Sequence, residues 1–303
     1  APRDAAADAR LAACRRVLFE ARGTRVAPAR DDKILADWNG LMIWALTEAG
    51  LALGEPVWLT AAARALDAVA ALLDDRGRLA HVWCGGRRRG GVLADHAATA
   101  RAALALHAAT GENRYLAQAR RWADAAADRF WDTEGGGFFV APADDEALPV
   151  RLKTADDEAA PAANGLMAET LARLHLLTGE ESYRARAEAT VAAFAGAADA
   201  DLAPLATLLD ARALMARPVQ VVVAGDPADP AAMALRDAAF RAPVADLVFA
   251  FAPPGRDLPA THPAVGKGPV GGRPAAYICL GQTCAPPVVA PERVREALEN
   301  AGP

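Results

Sequence analysis

The pattern Gly-Glu-x-x-aromatic occurs three times in this chain of 303 residues, as Gly54-Glu-Pro-Val-Trp58, Gly111-Glu-Asn-Arg-Tyr115 and Gly179-Glu-Glu-Ser-Tyr183. In each copy, apolar residues at helical spacing precede the glycine and follow the aromatic residue. Glycine suits the left-handed position that ends many helices. Each copy therefore predicts two antiparallel helices joined by a tight turn, which is an αα-hairpin.

The links between these hairpins are longer and differently composed. Residues 78–83 alternate between polar and apolar, and residues 135–140 run apolar after glycines, so both predict short strands. The third link, residues 141–160, is charged. A repeating order of helix, tight turn, helix and strand-bearing loop is typical of hairpins arranged around an axis. The predicted fold class is mainly α, with a partial α/α toroid.

The C-terminal part has a different pattern. Three apolar runs and two helical stretches follow one another in the order β-α-β-loop-β-α, which predicts a small α/β appendage. We therefore expect an N-terminal helix and linker over 1–36, three toroid hairpins over 37–217 and an α/β segment over 218–303.

Composition and charge exclude several classes of function. The net charge of −5 argues against a nucleic-acid surface, and no apolar stretch is long enough to predict a membrane helix. The chain begins with Ala1 and lacks a signal-peptide core, so we expect a fragment or processed form in the cytoplasm. No metal or cofactor is predicted. The four cysteines are too few for a disulfide scaffold, and buried, reduced thiols are expected at Cys279 and Cys284.

The candidate site follows from the repeat. In an up-and-down array, all long loops and all starts of the first helices share one end, where loops vary without disturbing the packing. Fifteen residues before each repeat glycine lies a polar residue, and carboxylates lie nearby. These candidates are Asn39, His96 and Asn164, with Asp37, Asp95 and Asp157. Two copies also share the sequence Asn-Gly-Leu-Met, at 39–42 and 164–167.

Two interpretations of these residues stay open. Asn and Asp at helix starts commonly cap free backbone N–H groups. Alternatively, they form a ring that binds a polyhydroxylated ligand such as a carbohydrate, with aromatic faces for stacking from Trp38, Trp83, Phe138 and Phe139. Paired carboxylates would then act as acid and base. His96 is the favoured histidine because its imidazole would titrate near neutral pH, and His81 has lower weight.

Three segments resemble a known family, namely residues 31–43 (Asp-Asp-Lys-Ile-Leu-Ala-Asp-Trp-Asn-Gly-Leu-Met-Ile), 130–139 (Phe-Trp-Asp-Thr-Glu-Gly-Gly-Gly-Phe-Phe) and 276–288, which contains both tail cysteines. They are similar to the thioredoxin-fused proteins of the spermatogenesis-associated protein 20 type. The resemblance implies a six-hairpin, glycosidase-like toroid, of which this chain would be the C-terminal half. The missing N-terminal half would then be a partner.

The resemblance also extends the list of site residues. Its first motif adds Asp32 and Lys33 to Asp37, Trp38 and Asn39 as ligand-binding candidates. Two hypotheses follow. The first is a sugar-binding or carbohydrate-processing toroid, epimerase-like or hydrolase-like. The second is a non-catalytic scaffold or interaction module of a redox-linked protein. Convergence of Asp37, Asp95 and Asp157 would favour the first, and separate capping roles would favour the second.

Overall fold

The structure is a computed structural model that describes residues 4–74, 78–144, 149–244, 246–253, 255, 264–281 and 283–301. The chain divides into two compact units, Ala1–Lys33 and Ile34–Pro303. The first unit holds one helix, α1 (Ala5–Gly23), whose start is capped by the side chain of Asp4. The predicted boundaries at 36/37 and 217/218 stay predictions.

The second unit contains the three predicted hairpins. They are α2 (Ala36–Leu53) with α3 (Pro56–Ala70), α4 (Leu93–Thr110) with α5 (Asn113–Phe130), and α6 (Ala163–Thr178) with α7 (Glu181–Ala193). Gly54, Gly111 and Gly179 end the first helices with φ angles of 73°, 74° and 74°. Because only glycine enters this left-handed region without steric cost, these residues set each tight turn. A short helix, α8 (Ala195–Ala200), a 3₁₀ turn (Ala203–Leu205) and α9 (Ala206–Ala216) follow.

The first helices of the hairpins form an inner row. Helix α2 packs on α4, α4 on α6, and α6 on α9, while α3, α5 and α7 each pack on their own partner. Helix α4 has neighbours on nearly all sides and is buried along most of its length. The predicted fold class, mainly α with a partial α/α toroid, is confirmed.

Glycines at equivalent positions bring the inner helices close together, which explains the repeated Asn-Gly-Leu-Met sequence. A Cβ atom on Gly40 would lie 2.7 Å from the backbone carbon of Ala98 in α4. A Cβ atom on Gly165 would lie 2.8 Å from the backbone nitrogen of Leu208 in α9. Both distances are shorter than any normal contact, so glycine is required for the observed approach of the helices.

A small antiparallel sheet lies beside the hairpins. Its strands are β1 (Ile34–Leu35), β2 (Ala80–Cys84) and β3 (Arg87–Gly90), in that order. The strand predicted over 78–83 is confirmed with shifted ends. The strand predicted over 135–140 is wrong, because Gly136 and Gly137 adopt positive φ and make a turn with a single bridge between Trp131 and Phe138.

The C-terminal part forms a second sheet in the order β5-β4-β6-β7. Its elements are β4 (Val219–Ala224), α10 (Pro230–Phe240), β5 (Val248–Phe251), β6 (Ala275–Leu280), β7 (Thr283–Cys284) and α11 (Pro291–Ala301). The predicted order of elements is confirmed, with β7 as an additional strand. The expectation of reduced thiols is wrong, because Cys279 and Cys284 face each other across β6 and β7 and form a disulfide.

Buried charged side chains join α4 to α6 and connect α6 to the segment before β5. Glu169 in α6 accepts from Arg101 in α4 at 2.9 Å and from Arg173 at 2.7 Å. Burial alone would raise the pKa of Glu169, but the two guanidinium groups outweigh it and lower that pKa to about 2. Arg173 also donates to the carbonyl of Leu247, directly before β5. Among the described residues, no helix is both long and apolar enough to cross a membrane.

The close approach at Gly165 gives a stability prediction. The free energy of unfolding of the Gly165→Ala variant should be about 1–3 kcal/mol lower than that of the parent chain, because the new methyl group overlaps the backbone of α9. This loss should appear although alanine favours a helix by about 1 kcal/mol over glycine. Urea denaturation followed by circular dichroism measures it.

The matched control is Gly196→Ala in α8, where an added Cβ meets nothing within 4 Å. This control should not lower stability. Equal effects of the two substitutions would contradict the role assigned to Gly165.

Candidate functional site

Polar side chains connect neighbouring helix starts at the long-loop end of the inner row. Asp95 at the start of α4 accepts from the backbone of Asp37 at the start of α2, at 3.1 Å. Asp157, shortly before α6, accepts from the backbone of Thr207 at the start of α9, at 2.8 Å. These bonds hold the starts of neighbouring inner helices together at one end.

Asp95 is the most connected of these carboxylates and is fully buried. Besides the Asp37 amide, it accepts from the backbone N–H of Val92, the residue before α4, at 2.7 Å. The Nδ1 atom of His81 lies 2.9 Å from its Oδ1. Burial raises the pKa of Asp95, and the hydrogen bond from His81 partly offsets this effect.

His81 lies on β2 at a bulge, where the strand register shifts between Ala80 and Val82. Bulges commonly redirect a side chain next to functional sites. Because an ionised carboxylate only accepts hydrogen bonds, Nδ1 of His81 carries the proton shared with Asp95. In the neutral ring, Nε2 then keeps its lone pair. The hydrogen bond and the charge of Asp95 raise the pKa of His81 above its ordinary value of 6.5.

Asp37 completes this group. Asp37, His81 and Asp95 each offer one atom that could coordinate a metal ion, and these three atoms lie within 4.8 Å of one another. The spacing would admit a metal ion, but Nδ1 of His81 and both oxygens of Asp95 already take part in hydrogen bonds. Nε2 of His81 and the carboxylate of Asp37 are the groups of this cluster that remain for a ligand. Asp37 is half-exposed, and its Oδ1 accepts from the amide of Trp38 at 2.8 Å.

Aromatic surface lies next to these polar groups along the chain. The exposed fraction of Trp38, in the first turn of α2, is 64%. Trp83 is half-buried on β2, two residues after His81. Asn39 is half-buried and donates to the carbonyl of Leu35. We name Asp37, Trp38, His81, Trp83 and Asp95 the rim site.

His96 does not belong to the rim site. It is buried in the core, where its ring lies 5.3 Å from that of Phe130 and Nδ1 donates to the carbonyl of Trp122 in α5. Burial lowers its pKa to about 4. The expectation that His96 titrates near neutral pH is wrong, because its side chain points towards α5 and stays neutral.

Asn164 and Phe138 form a structural pair. The amide of Asn164 accepts from the backbone N–H of Phe138 at 2.8 Å and donates to its carbonyl at 2.9 Å. Both residues are fully buried. Phe138 therefore has no free face on which a sugar could stack, and Asn164 holds the 138 loop against the start of α6.

Asp157 and Phe139 also have partners away from the rim site. Both carboxylate oxygens of Asp157 accept hydrogen bonds, from the amides of Ala162 and Thr207. The guanidinium of Arg151 lies 4.1 Å from the ring centroid of Phe139 and covers one of its faces. Asp157 thus acts as a cap that joins α6 and α9.

Asp32 and Lys33, the candidates added by the family resemblance, lie in the first unit. There Arg30 donates to Asp32, and the Nζ atom of Lys33 lies 3.1 Å from Asp31. All four side chains are largely exposed. Their role in ligand binding stays a prediction.

His81 is the residue to which the sequence gives too little weight. It lies 14 residues before Asp95, a spacing without a recognised motif. Its place on a short strand next to a predicted helix start is the one sequence signal available. The strand pairing that brings β2 beside α2 and α4 decides its role.

The His81–Asp95 contact predicts a pH effect. In the Asp95→Asn variant, the pKa of His81 should fall towards 6.5, because the carboxylate that favours the imidazolium is gone. In the parent chain, protonated His81 stabilises the folded state through this contact. The full stabilisation is present below pH 6.5, the pKa of histidine in the unfolded chain, and it is lost as pH rises through the raised pKa of His81 in the folded chain. NMR titration of the imidazole signals measures both pKa values.

Asp157→Asn is the matched control. It removes a capping carboxylate from α6 and α9 and should leave the pKa of His81 unchanged. An unchanged pKa of His81 in Asp95→Asn would show that the two side chains do not share a proton in solution.

Comparison with known proteins gives relatives along nearly the whole chain, although no family model matches it. Spermatogenesis-associated protein 20 of Rattus norvegicus is 32% identical over 301 residues, which cover 93% of this chain and 38% of that protein. The Homo sapiens protein is 31% identical over 299 residues, with the same coverage. An uncharacterized protein of Caenorhabditis elegans is 28% identical and covers 92% of this chain and 40% of that protein.

Solved structures resemble part of the chain. A GH76 α-mannanase of Bacteroides thetaiotaomicron superposes with a TM-score of 0.47 at 20% identity, covering 55% of this chain and 46% of that one. Cellobiose 2-epimerase from Bacillus thermoamylovorans superposes with a TM-score of 0.46 at 13% identity and the same coverage. An inactive α-1,6-mannanase variant of Salegentibacter, in complex with α-1,6-mannotriose, gives 0.45 at 16% identity, covering 53% of this chain and 46% of that one.

The curated matches thus extend along more than nine tenths of this chain, whereas the chain spans about two fifths of the length of those proteins. Over nearly its whole length, the chain is therefore similar to one part of spermatogenesis-associated protein 20.

Proposed function

We propose that this chain binds a carbohydrate at the rim site and transfers a proton to or from it. The observation that carries the proposal is the His81–Asp95 hydrogen bond of 2.9 Å, with Asp37 beside it. A buried carboxylate that orients a half-exposed imidazole is an arrangement common to acid–base sites.

The surface chemistry supports a polyhydroxylated ligand. Sugar rings present apolar faces that stack on aromatic side chains, and hydroxyl groups that need donors and acceptors. Trp38 offers an exposed ring, and Asp37 and His81 offer polar atoms. The positions of Trp38 and Asp37 as neighbours at the start of α2 bring both kinds of group to the same helix end.

The roles within the site follow from the hydrogen bonds. Asp95 is buried and accepts from two backbone amides, so it acts as the residue that orients His81 rather than as a nucleophile. His81 would accept or donate the proton through Nε2. Asp37 is the carboxylate that remains half-exposed and would serve as the second acid–base group. A reaction with acid–base steps, epimerase-like or hydrolase-like, fits this pair.

A specific observation also favours the second hypothesis, a non-catalytic scaffold. Asp95 and Asp157 satisfy backbone groups next to helix starts, as structural caps do. Asn164 satisfies backbone groups of the Phe138 loop, which is also a structural role. In that case the rim would present a rigid surface to a partner segment. The predicted partner role of a missing N-terminal half, its thioredoxin-like domain and the cytoplasmic location belong to this proposal as expectations.

Binding of simple sugars to variants tests the proposal. Purified chain should bind at least one member of a panel of mannose, glucose, cellobiose and mannobiose, measured by saturation-transfer NMR and calorimetry. Trp38→Ala should weaken this binding roughly tenfold, because the stacking face is lost. Leu53→Ala is the control, since Leu53 is similarly exposed but lies at the tight-turn end of α2.

Chemistry is followed in the same samples. Proton NMR in D₂O detects deuterium incorporation into the sugar and loss of glycosidic bonds. His81→Asn and Asp37→Asn should lower the rate about 10²–10⁴-fold while sugar affinity changes much less. Binding without turnover would restrict the function to sugar recognition. Absence of binding to every sugar at millimolar concentration would overturn the proposal and favour the scaffold.

A further inference from the structure

A cavity lies at the tight-turn end of the hairpins, away from the rim site. Its volume is about 620 Å³, within the range of small-ligand sites. It is bounded by the tight turn of α6 and α7, the end of α9, strand β4 and the β6–β7 hairpin. Both cysteines of the disulfide, Cys279 and Cys284, line it.

The two cysteines differ in accessibility. Cys279 is 4% exposed on β6, whereas Cys284 on the short strand β7 is exposed. Thiol–disulfide exchange requires a thiolate to approach one sulfur in line with the bond that breaks. The more exposed residue, Cys284, is therefore the expected point of attack, with Cys279 as the leaving group.

Charged side chains of both signs line the same cavity. Lys267, Arg184 and His175 supply basic groups, and Glu181 and Glu188 supply acidic groups. Arg184 and Glu188 pair at 2.8 Å, on the helix that follows the tight turn. A small peptide carries an amino group and carboxylates, so this lining complements a zwitterionic peptide better than an uncharged ligand.

We propose that the Cys279–Cys284 pair is a thiol–disulfide exchange site that takes a small peptide thiol from this cavity. The thiol of the peptide loses its proton to water, and its sulfur attacks Sγ of Cys284. A mixed disulfide forms, the Cys279–Cys284 bond breaks, and Cys279 leaves as a thiolate that takes up a proton. A second peptide thiol then releases Cys284. Two electrons pass to the protein, and two peptide thiols become one peptide disulfide.

The test begins with a Cys14→Ser, Cys84→Ser background, because these two exposed cysteines are free thiols. Glutathione is the probe, and circular dichroism confirms that the chain stays folded. Millimolar glutathione should reduce the disulfide, and acid quenching followed by mass spectrometry should trap a mixed disulfide on Cys284. Dithiothreitol serves as the reference reductant that needs no charged cavity.

Single variants assign the attacked sulfur. With Cys279→Ser, the remaining Cys284 should form an adduct with oxidised glutathione at least about tenfold faster than Cys279 does in the Cys284→Ser variant. Equal rates would contradict the assignment of Cys284.

A further variant tests whether the charged cavity recognises glutathione. Lys267→Gln should slow reduction by glutathione about three- to fivefold and leave reduction by the uncharged thiol 2-mercaptoethanol unchanged. Arg212→Gln in α9 is the control, because Arg212 is exposed and lies outside the cavity lining among the described residues. The proposal would be overturned if dithiothreitol reduced the disulfide and glutathione did not. It would also be overturned if Lys267→Gln slowed reduction by glutathione and by 2-mercaptoethanol equally.

Discussion

One buried carboxylate holds the proposed site together. Asp95 accepts from the backbone at the starts of two inner helices and from the ring of His81 on the neighbouring sheet. A buried carboxylate is costly unless its hydrogen bonds are satisfied, so the surrounding groups have little freedom to move. The bonds that cap α4 therefore also fix the orientation of His81. In the proposed function, Asp95 combines this capping role with the orientation of His81.

The position of Asp95 depends in turn on the packing of the inner row. Gly40 lets α2 approach α4, and Gly165 lets α6 approach α9. This close approach brings the helix starts within hydrogen-bonding distance of one another. Near the middle of the row, the ion pairs of Glu169 connect α4 and α6, and Arg173 bonds to the segment before β5. The proposed rim site and the disulfide-lined cavity lie at opposite ends of the hairpins.

Local patterns predicted the helices, and tertiary packing decided the site. The left-handed glycines and the apolar spacing are properties of short segments, so the three hairpins and the order of the C-terminal elements were predictable. His96 occupies the position equivalent to Asn39 and Asn164, but the face it presents to α5 depends on how two helices pack. Phe138 is buried because the Asn164 amide holds its loop against α6. The role of His81 depends on a strand pairing that one sequence does not specify.

A crystal structure of the chain with a bound sugar tests the central claim most directly. We predict a sugar ring stacked on Trp38, with a hydroxyl group within hydrogen-bonding distance of Nε2 of His81. The Nδ1 atom of His81 should stay bonded to Asp95 in that complex. Sugar density elsewhere on the molecule, or a His81 ring turned away from Asp95, would contradict the account.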